Sequence, residues 1–325
     1  MEINLNSIPK LSHKNEFTDY LEIRCLLKND RCVTFGDIVD LLYDDELGEL
    51  KEEADEENEK EDRRVQNIRE IFNFSASRQT LYKDYYPFEI DSKNRLSVQK
   101  NLTRKHHLYI ALLLSSNLAY VKTYINPITH SFENLSFRLF HLLFPKNLKK
   151  LRKNKKSEIY LFGAGSNSTF KGTLFQKIQT LADKLNLKTT PYFTKDEFDK
   201  NNVGDGGLDL VGWYNFSDKS EGTLMIFGQC ACGEKWIDKQ LESHPIRWGN
   251  WIAFLNPPTN VLFTPQHYRK TDGNWFRTTS LRDTIVLDRL RIIDLSRQIP
   301  MTRLIKIYKP ILKAFFSAQK IDDFD

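Results

Sequence analysis

Gly204-Asp205-Gly206-Gly207-Leu208-Asp209-Leu210-Val211-Gly212-Trp213 and, one hairpin later, Ile226-Phe227-Gly228-Gln229-Cys230-Ala231-Cys232-Gly233-Glu234-Lys235-Trp236 decide the reading of this chain. Their apolar patterning predicts strands over Leu208 to Tyr214 and Thr223 to Gln229, with the polar run Asn215 to Gly222 as the turn between them. Asp and Gly at 204–207 suit a tight turn, because they accept backbone angles other residues avoid. The hairpin would set the carboxylate of Asp209 and the amide of Gln229 on neighbouring strands, where a divalent cation can sit between them.

Around this hairpin the pattern mixes helix and strand. Thr173 to Leu187 reads as an amphipathic helix, with Leu174, Phe175, Ile178, Leu181, Ala182 and Leu185 on one side. Further strands are expected at Asn260 to Thr264 and Ile285 to Ile292, and a closing helix at Thr302 to Ala318. The first half is mainly helical by its periodicity, at Phe17 to Leu27, Thr34 to Tyr43, Val65 to Phe72, Lys105 to Tyr120 and Phe132 to Phe144. The first two of these, joined at Lys28-Asn29-Asp30-Arg31, suit a helical hairpin or part of a winged-helix-like unit. Texture changes at Lys146 to Lys156, where seven of eleven residues are cationic. We therefore expect two domains, 1–156 and 157–325, as the 325-residue length allows.

The formal charge of +5 conceals a strong asymmetry. Residues 44–63 hold 12 acidic and 3 basic residues, a net of −9, so the rest of the chain carries +14. The acidic run has almost no apolar face and reads as a solvated loop or exposed helix. The basic remainder suits a polyanionic partner. Candidate phosphate contacts are Lys149, Lys150, Arg152, Lys153, Lys155 and Lys156 in the basic linker, with Lys171 and Arg247. Four cysteines are too few for a secreted disulfide scaffold of this size. No basic region with a following apolar run opens the chain, and no apolar run approaches the roughly 20 residues that span a bilayer. A cytoplasmic protein without membrane association is expected.

The Gly-Asp-Gly-Gly-hydrophobic-Asp segment, the hairpin, and the following Gln229-Cys230-Ala231 with Trp236 nearby resemble the core of the PD-(D/E)xK, or restriction-endonuclease-like, nuclease superfamily, and within it the Mrr-like branch. The resemblance covers roughly Thr173 to Lys239. It implies an α/β fold with a mixed sheet flanked by helices, here preceded by a mostly helical accessory domain. It also implies a DNA endonuclease using Mg²⁺ or Mn²⁺, in a restriction or anti-phage defence setting. Asp209, Gln229 and a backbone carbonyl near Cys230 would hold the metal. Alanine at 231 departs from the pattern, which has lysine there, and Lys235 and Lys239 are the candidate substitutes, four residues apart on the helix that would follow. Lys235, nearer the strand end, is the first choice. Gln176 falls where some relatives carry a helix glutamate. Cutting both strands of a duplex would suggest a homodimer. Two alternatives use the same fold: a catalytically inactive nucleic-acid-binding or assembly subunit, and an effector switched on by a partner ATPase, helicase or sensor.

Other constellations carry less chemistry. Cys25-x₆-Cys32 and Cys230-x-Cys232 lack the two-to-four-residue spacers typical of zinc sites. Gly163 to Lys171 has Phe170 where a phosphate-binding loop of the Walker type needs glycine. Trp248, Trp251, Trp275 and Phe276, interleaved with Arg247, Arg269, Lys270 and Arg277, suit base stacking or core packing, with packing the commoner use. His244 and His267 are expected to be structural.

Overall fold

The computed structural model describes residues 1–5, 7–46, 54–144, 157–163, 169–216, 218 and 220–319, with side chains excepted at 43–46 and 54–61. Packing divides the chain elsewhere than at 156/157: Met1–Ile128, Gln266–Phe276 and the segment from Ile299 form one compact unit, and Thr129–Pro265 with Arg277–Gln298 the other. Lys149, Lys150, Arg152, Lys153, Lys155 and Lys156 lie outside the described residues.

The first unit is mostly helical. Its elements are α1 (Lys14–Leu27), β1 (Cys32–Val33), α2 (Phe35–Glu46), α3 (Ala54–Tyr82), β2 (Phe88–Ile90), β3 (Leu96–Val98) and α4 (Arg104–Ser116). Helices α1 and α2 are not a bare hairpin, because β1 between them joins an antiparallel sheet of order β1-β3-β2. The later part of the acidic run, from Ala54, is helical in α3. The core contains a buried ionic knot, in which Glu22 accepts from Arg78 at 2.9 Å, Tyr86 at 2.9 Å and Tyr109 at 2.8 Å. Arg78 also bonds Asp19. His267 is structural as expected, its Nδ1 lying 2.6 Å from the buried Tyr82 hydroxyl. The Arg269 guanidinium covers the Trp275 ring at 3.5 Å, so this aromatic–basic pair is spent within the unit.

The second unit is a mixed α/β structure. From Thr129 it takes in α5 (Ile125–Phe140), followed by β4 (Ser157–Leu161), α6 (Leu174–Lys184), β5 (Leu210–Tyr214), β6 (Met225–Cys230), α7 (Trp236–Lys239), α8 (Pro245–Trp248), β7 (Thr259–Phe263), β8 (Ile285–Leu287) and α9 (Arg289–Ser296). Among the described residues the sheet runs β4-β5-β6-β7-β8, with the first three strands antiparallel and β6, β7 and β8 parallel. The strand expected to run to Ile292 stops at Leu287: Asp288 turns the chain into α9 and its carboxylate caps the helix by accepting from Arg291 N at 3.2 Å. The last helix, α10 (Met301–Ala318), belongs to the first unit, where it packs on α4 and brings Phe316 within 5.3 Å of the His107 ring.

One face of the sheet meets Phe162, Phe170, Leu174, Ile178, Phe227 and Trp248, a core that accounts for Trp248 and Trp251 as packing residues. Opposite Gly212 and Gly228 stand Phe140 and Phe144, at and beyond the end of α5. A side chain at Gly212 would come within 2.5 Å of Phe144 and 3.1 Å of Phe140, and one at Gly228 within 3.3 Å of Phe140. These glycines let the end of α5 approach the strands closely, and the facing rings fill the space. Overpacking of this kind typically costs about 1–3 kcal/mol. Gly212→Val is accordingly expected to lower stability by roughly that amount in urea denaturation, whereas Gly233→Ala, where an added methyl meets nothing within 4 Å, should leave the midpoint unchanged.

Candidate functional site

The turn that leads into β5 is built as its sequence suggests. Gly206 and Gly207 take positive φ angles, +63° and +80°, and Asp205 Oδ1 accepts from Gly207 N at 2.7 Å. Gly207 is needed for space as well as angle, since a side chain there would meet Glu242 Cβ at 2.5 Å. The segment just before the turn is held from α6: Leu174 N donates to Asn202 O at 2.7 Å, and the buried Lys177 ammonium donates to the carbonyls of Val203 (2.8 Å) and Gly204 (2.9 Å). Burial pushes the pKa of Lys177 down, an effect opposed by Asp205.

Register then places Asp209. Leu210 pairs with Gly228, Asp209 N donates to Gly228 O at 3.0 Å, and Cys230 N donates to Asp209 Oδ2 at 2.7 Å. On the other side Phe162 N donates to Asp209 O at 2.7 Å. The half-buried Asp209 carboxylate therefore stands where the ends of β4, β5 and β6 meet. Beside it is a space kept open by Gly163. A side chain at Gly163 would meet Glu133 Oε1 at 3.3 Å, Asp209 Oδ1 at 3.4 Å and Asp205 Oδ2 at 4.0 Å. Three carboxylates from α5, the glycine turn and the start of β5 thus border one small space.

Electrostatics bear the cost of that arrangement. Burial, then the neighbouring Asp205, and then Glu133 push the Asp209 pKa well above the usual carboxylate range, against the Cys230 N–H bond and the positive charge of Lys239. Burial, with Asp205, also raises Glu133, and His130 Nδ1, 3.8 Å from Glu133 Oε2, opposes this. The thiols of Cys230 and Cys232 are likewise pushed up by burial and then by Asp209. The site is poorer in positive charge than its carboxylates require.

The sequence-derived residues fall out differently from one another. Asp209 is central. Gln229 lies beside it in the strand pair, but its Nε2 donates to Glu242 Oε2 at 3.2 Å, and its buried Oε1 has no hydrogen-bond partner among the described residues. Cys230 presents its N–H to Asp209. Lys239, on α7, is the cation whose charge bears on Asp209, whereas Lys235 is the exposed residue at which α7 begins. Ala231 is buried with its N–H bonded to Phe263 O at 2.9 Å. Lys171 and Arg247 are exposed. Gln176 is a capping residue: its Oε1 accepts from Thr173 N at 2.9 Å, completing a capping box at the start of α6. The helix carboxylate at the site is Glu133, which sequence reasoning missed. The available signal was a single acidic residue on α5, next to Phe132 and Leu135 on its buried side.

Whether these residues fit Mg²⁺ or Mn²⁺ turns on donor chemistry. Mg²⁺ prefers oxygen donors and commonly binds one or two carboxylates while keeping several waters. The carboxylates around Gly163 supply such donors; burial, and after it neighbouring carboxylates, raise the pKa values of Asp209 and Glu133, and the charges of Lys239 and His130 oppose this. Among the described residues no group of three or more His, Cys, Asp and Glu side chains forms a ready-made metal cage, so the fit is to a largely hydrated ion. His244 belongs to structure, as expected, its Nδ1 accepting from Ile246 N at 3.2 Å to cap α8. Among the described residues no helix is long and apolar enough to cross a membrane. No protein-family model, curated protein or solved structure matches the chain.

Raised carboxylate pKa values have a defined sign in stability. The folded protein binds these protons more tightly than the unfolded chain, so their contribution is present at acid pH and is lost as pH rises through the raised folded values of Asp209 and Glu133. In metal-free buffer Tm should therefore decline as pH rises beyond the ordinary carboxylate range, and Mn²⁺ should restore more of it at neutral than at acid pH. Asp209→Asn should raise the metal-free Tm at neutral pH by about 2–4 °C, as ~1 kcal/mol would in a domain of this size, and abolish the Mn²⁺ effect. Scanning calorimetry across pH with and without Mn²⁺ checks both, and a Tm indifferent to Mn²⁺ throughout would refute the metal assignment.

Proposed function

We propose that the second unit is a metal-dependent nuclease that cleaves DNA as an endonuclease. The observation carrying this reading is the convergence of Glu133, Asp205 and Asp209 on the space at Gly163, with the charge of Lys239 acting on Asp209. Three antiparallel strands followed by two parallel ones, with the acid at the start of the central strand of the antiparallel trio, also support the restriction-endonuclease-like fold that the glycine-rich motif implies.

On this reading Asp209 and Glu133 hold Mg²⁺ or Mn²⁺, with Asp205 close enough to tune both. When bound, the ion stabilises charge on phosphate oxygens and lowers the pKa of an attacking water. The protein's own contributions are positional. The Cys230 N–H fixes one oxygen of Asp209 and leaves the other facing the shared space. Lys177 holds the carbonyls that precede the turn, and so the place of Asp205. Lys239 takes the role the family pattern gives to a lysine at 231, offsetting negative charge that develops on the phosphate. A restriction or anti-phage setting follows from the resemblance alone. A homodimer would supply the second site needed for double-strand cutting.

Cleavage of supercoiled plasmid and of single-stranded DNA in Mg²⁺ and Mn²⁺ tests the proposal. Asp209→Ala and Glu133→Gln are expected to reduce the rate by roughly 10² or more, and Lys239→Ala by a comparable factor, with Lys235→Ala near the unaltered rate. Cutting that survives Asp209→Ala would reject the assignment. Absence of cutting by every form would favour the binding-only subunit, or an effector that needs an ATPase, helicase or sensor partner.

A further inference from the structure

Helix α10 lies in the first unit, remote in sequence from the carboxylate site, and its two faces are chemically separate. Leu304, Ile305, Tyr308, Ile311, Leu312, Phe315 and Phe316 are buried. The exposed side carries Arg303, Lys306, Lys309 and Lys313, with Thr302, Pro310 and Ser317 between and beyond them. The helix has no acidic residue, and none of the four cations has an ion-pair partner among the described residues. The cations recur at three- and four-residue steps, so they form one stripe. At 1.5 Å per residue it is about 15 Å long.

We propose that this stripe is a binding surface for the sugar–phosphate backbone of nucleic acid, separate from the carboxylate site. Laid along the duplex axis, a length of about 15 Å spans roughly four base-pair steps of one strand, at 3.4 Å of axis per charge. Two other partners fit less well. A helix that lies on a membrane inserts its apolar side, and here that side is buried within the unit. A protein interface draws its affinity from buried aromatic or aliphatic anchors, and the exposed face offers none. A row of lysine and arginine without base-reading side chains gives backbone contacts that carry no sequence information. The inference rests on the nuclease reading only in taking nucleic acid as the partner.

The test uses the full chain carrying Asp209→Ala, in EDTA, with a fluorescein-labelled duplex followed by anisotropy between about 50 and 200 mM KCl. Lys306→Gln with Lys313→Gln keeps helix propensity and removes two charges. The expected result is an affinity lower by roughly tenfold and a salt slope reduced by about 2, with circular dichroism and Tm unchanged. Lys10→Gln with Lys122→Gln, two exposed lysines elsewhere in the same unit, should change neither. Equal losses in the two pairs, or no loss in the α10 pair, would overturn the proposal, as would α10-dependent binding of phosphatidylserine vesicles with duplex binding unaffected. Plasmid cleavage by the Asp209-intact protein separates the two ideas. Cutting without α10-dependent binding sinks this inference alone, and α10-dependent binding without cutting sinks the free-standing nuclease alone.

Discussion

The close seating of the end of α5 against the sheet is the constraint on which the candidate site depends. Gly212 and Gly228 offer no side chains on the side that faces Phe140 and Phe144, so ring carbon occupies the volume that Cβ atoms would otherwise fill. Glu133 lies about two turns before Phe140 on the same helix, and the axial position of its carboxylate follows from how deeply the rings sit. Asp209 is placed by an independent device, strand register reinforced by the Cys230 N–H. The two acids meet because helix packing and strand pairing converge at Gly163, where a third missing side chain leaves room. Three glycines, Gly163, Gly212 and Gly228, thus leave the room in which the acids meet.

That geometry is costly for the protein alone. Burial raises the pKa values of Asp209 and Glu133, and neighbouring carboxylates add to the penalty. The first unit shows the opposite solution to the same problem. There Glu22 and Asp19 are buried with Arg78 between them, and Tyr86 and Tyr109 satisfy the remaining lone pairs of Glu22. Removing one partner of such a knot typically costs about 3–5 kcal/mol, because the survivor is left buried and uncompensated. The two clusters differ in whether the chain supplies its own counter-charge. In the second unit Lys239 acts from an exposed position, and Lys177, though buried, is directed to backbone carbonyls. Strongly perturbed groups lacking compensation are a physical marker of functional sites.

Much of this architecture was legible in the sequence where local rules act alone. The glycine turn, the hairpin of β5 and β6, β7 and α10 follow from period and turn chemistry, and the structure places each within a few residues of its expected bounds. What failed did so either because a local cap claimed a residue or because tertiary packing decided. Gln176 falls where the resemblance puts a helix glutamate in some relatives, and a capping box claims its side chain. Glu133 was invisible because nothing in the periodicity of α5 tells an acid beside the sheet from one facing water. The division at 156/157 followed a change in composition, whereas packing recruits the returning segments Gln266–Phe276 and the chain from Ile299 to the first unit. Neither return leaves a local signature. The strand expected to continue to Ile292 was lost to one capping side chain, Asp288, within an otherwise apolar run.

On the proposed reading, Lys239 would meet from a different backbone position the requirement that the resemblance assigns to a lysine at 231. Position 231 is buried and tied by its N–H to β7, so a long cationic side chain there would begin from a fixed and enclosed backbone. Lys239 starts instead from a short helix after the strand, exposed along its stem, and still lowers the Asp209 pKa from that position. A lysine side chain carries about 2 kcal/mol of rotamer entropy. Anchored in a strand, much of that cost is met on folding; exposed on α7, it is met when a phosphate arrives. On the proposed reading, placing the cation on α7 therefore lowers affinity in the ground state and ties ordering of the cation to occupancy by substrate. The same logic would apply to a bound ion, since among the described residues the carboxylates border an open space and make no closed cage. Substrate phosphate would complete both the metal's coordination and the ordering of Lys239, so that charge compensation in this site is assembled at the moment of binding.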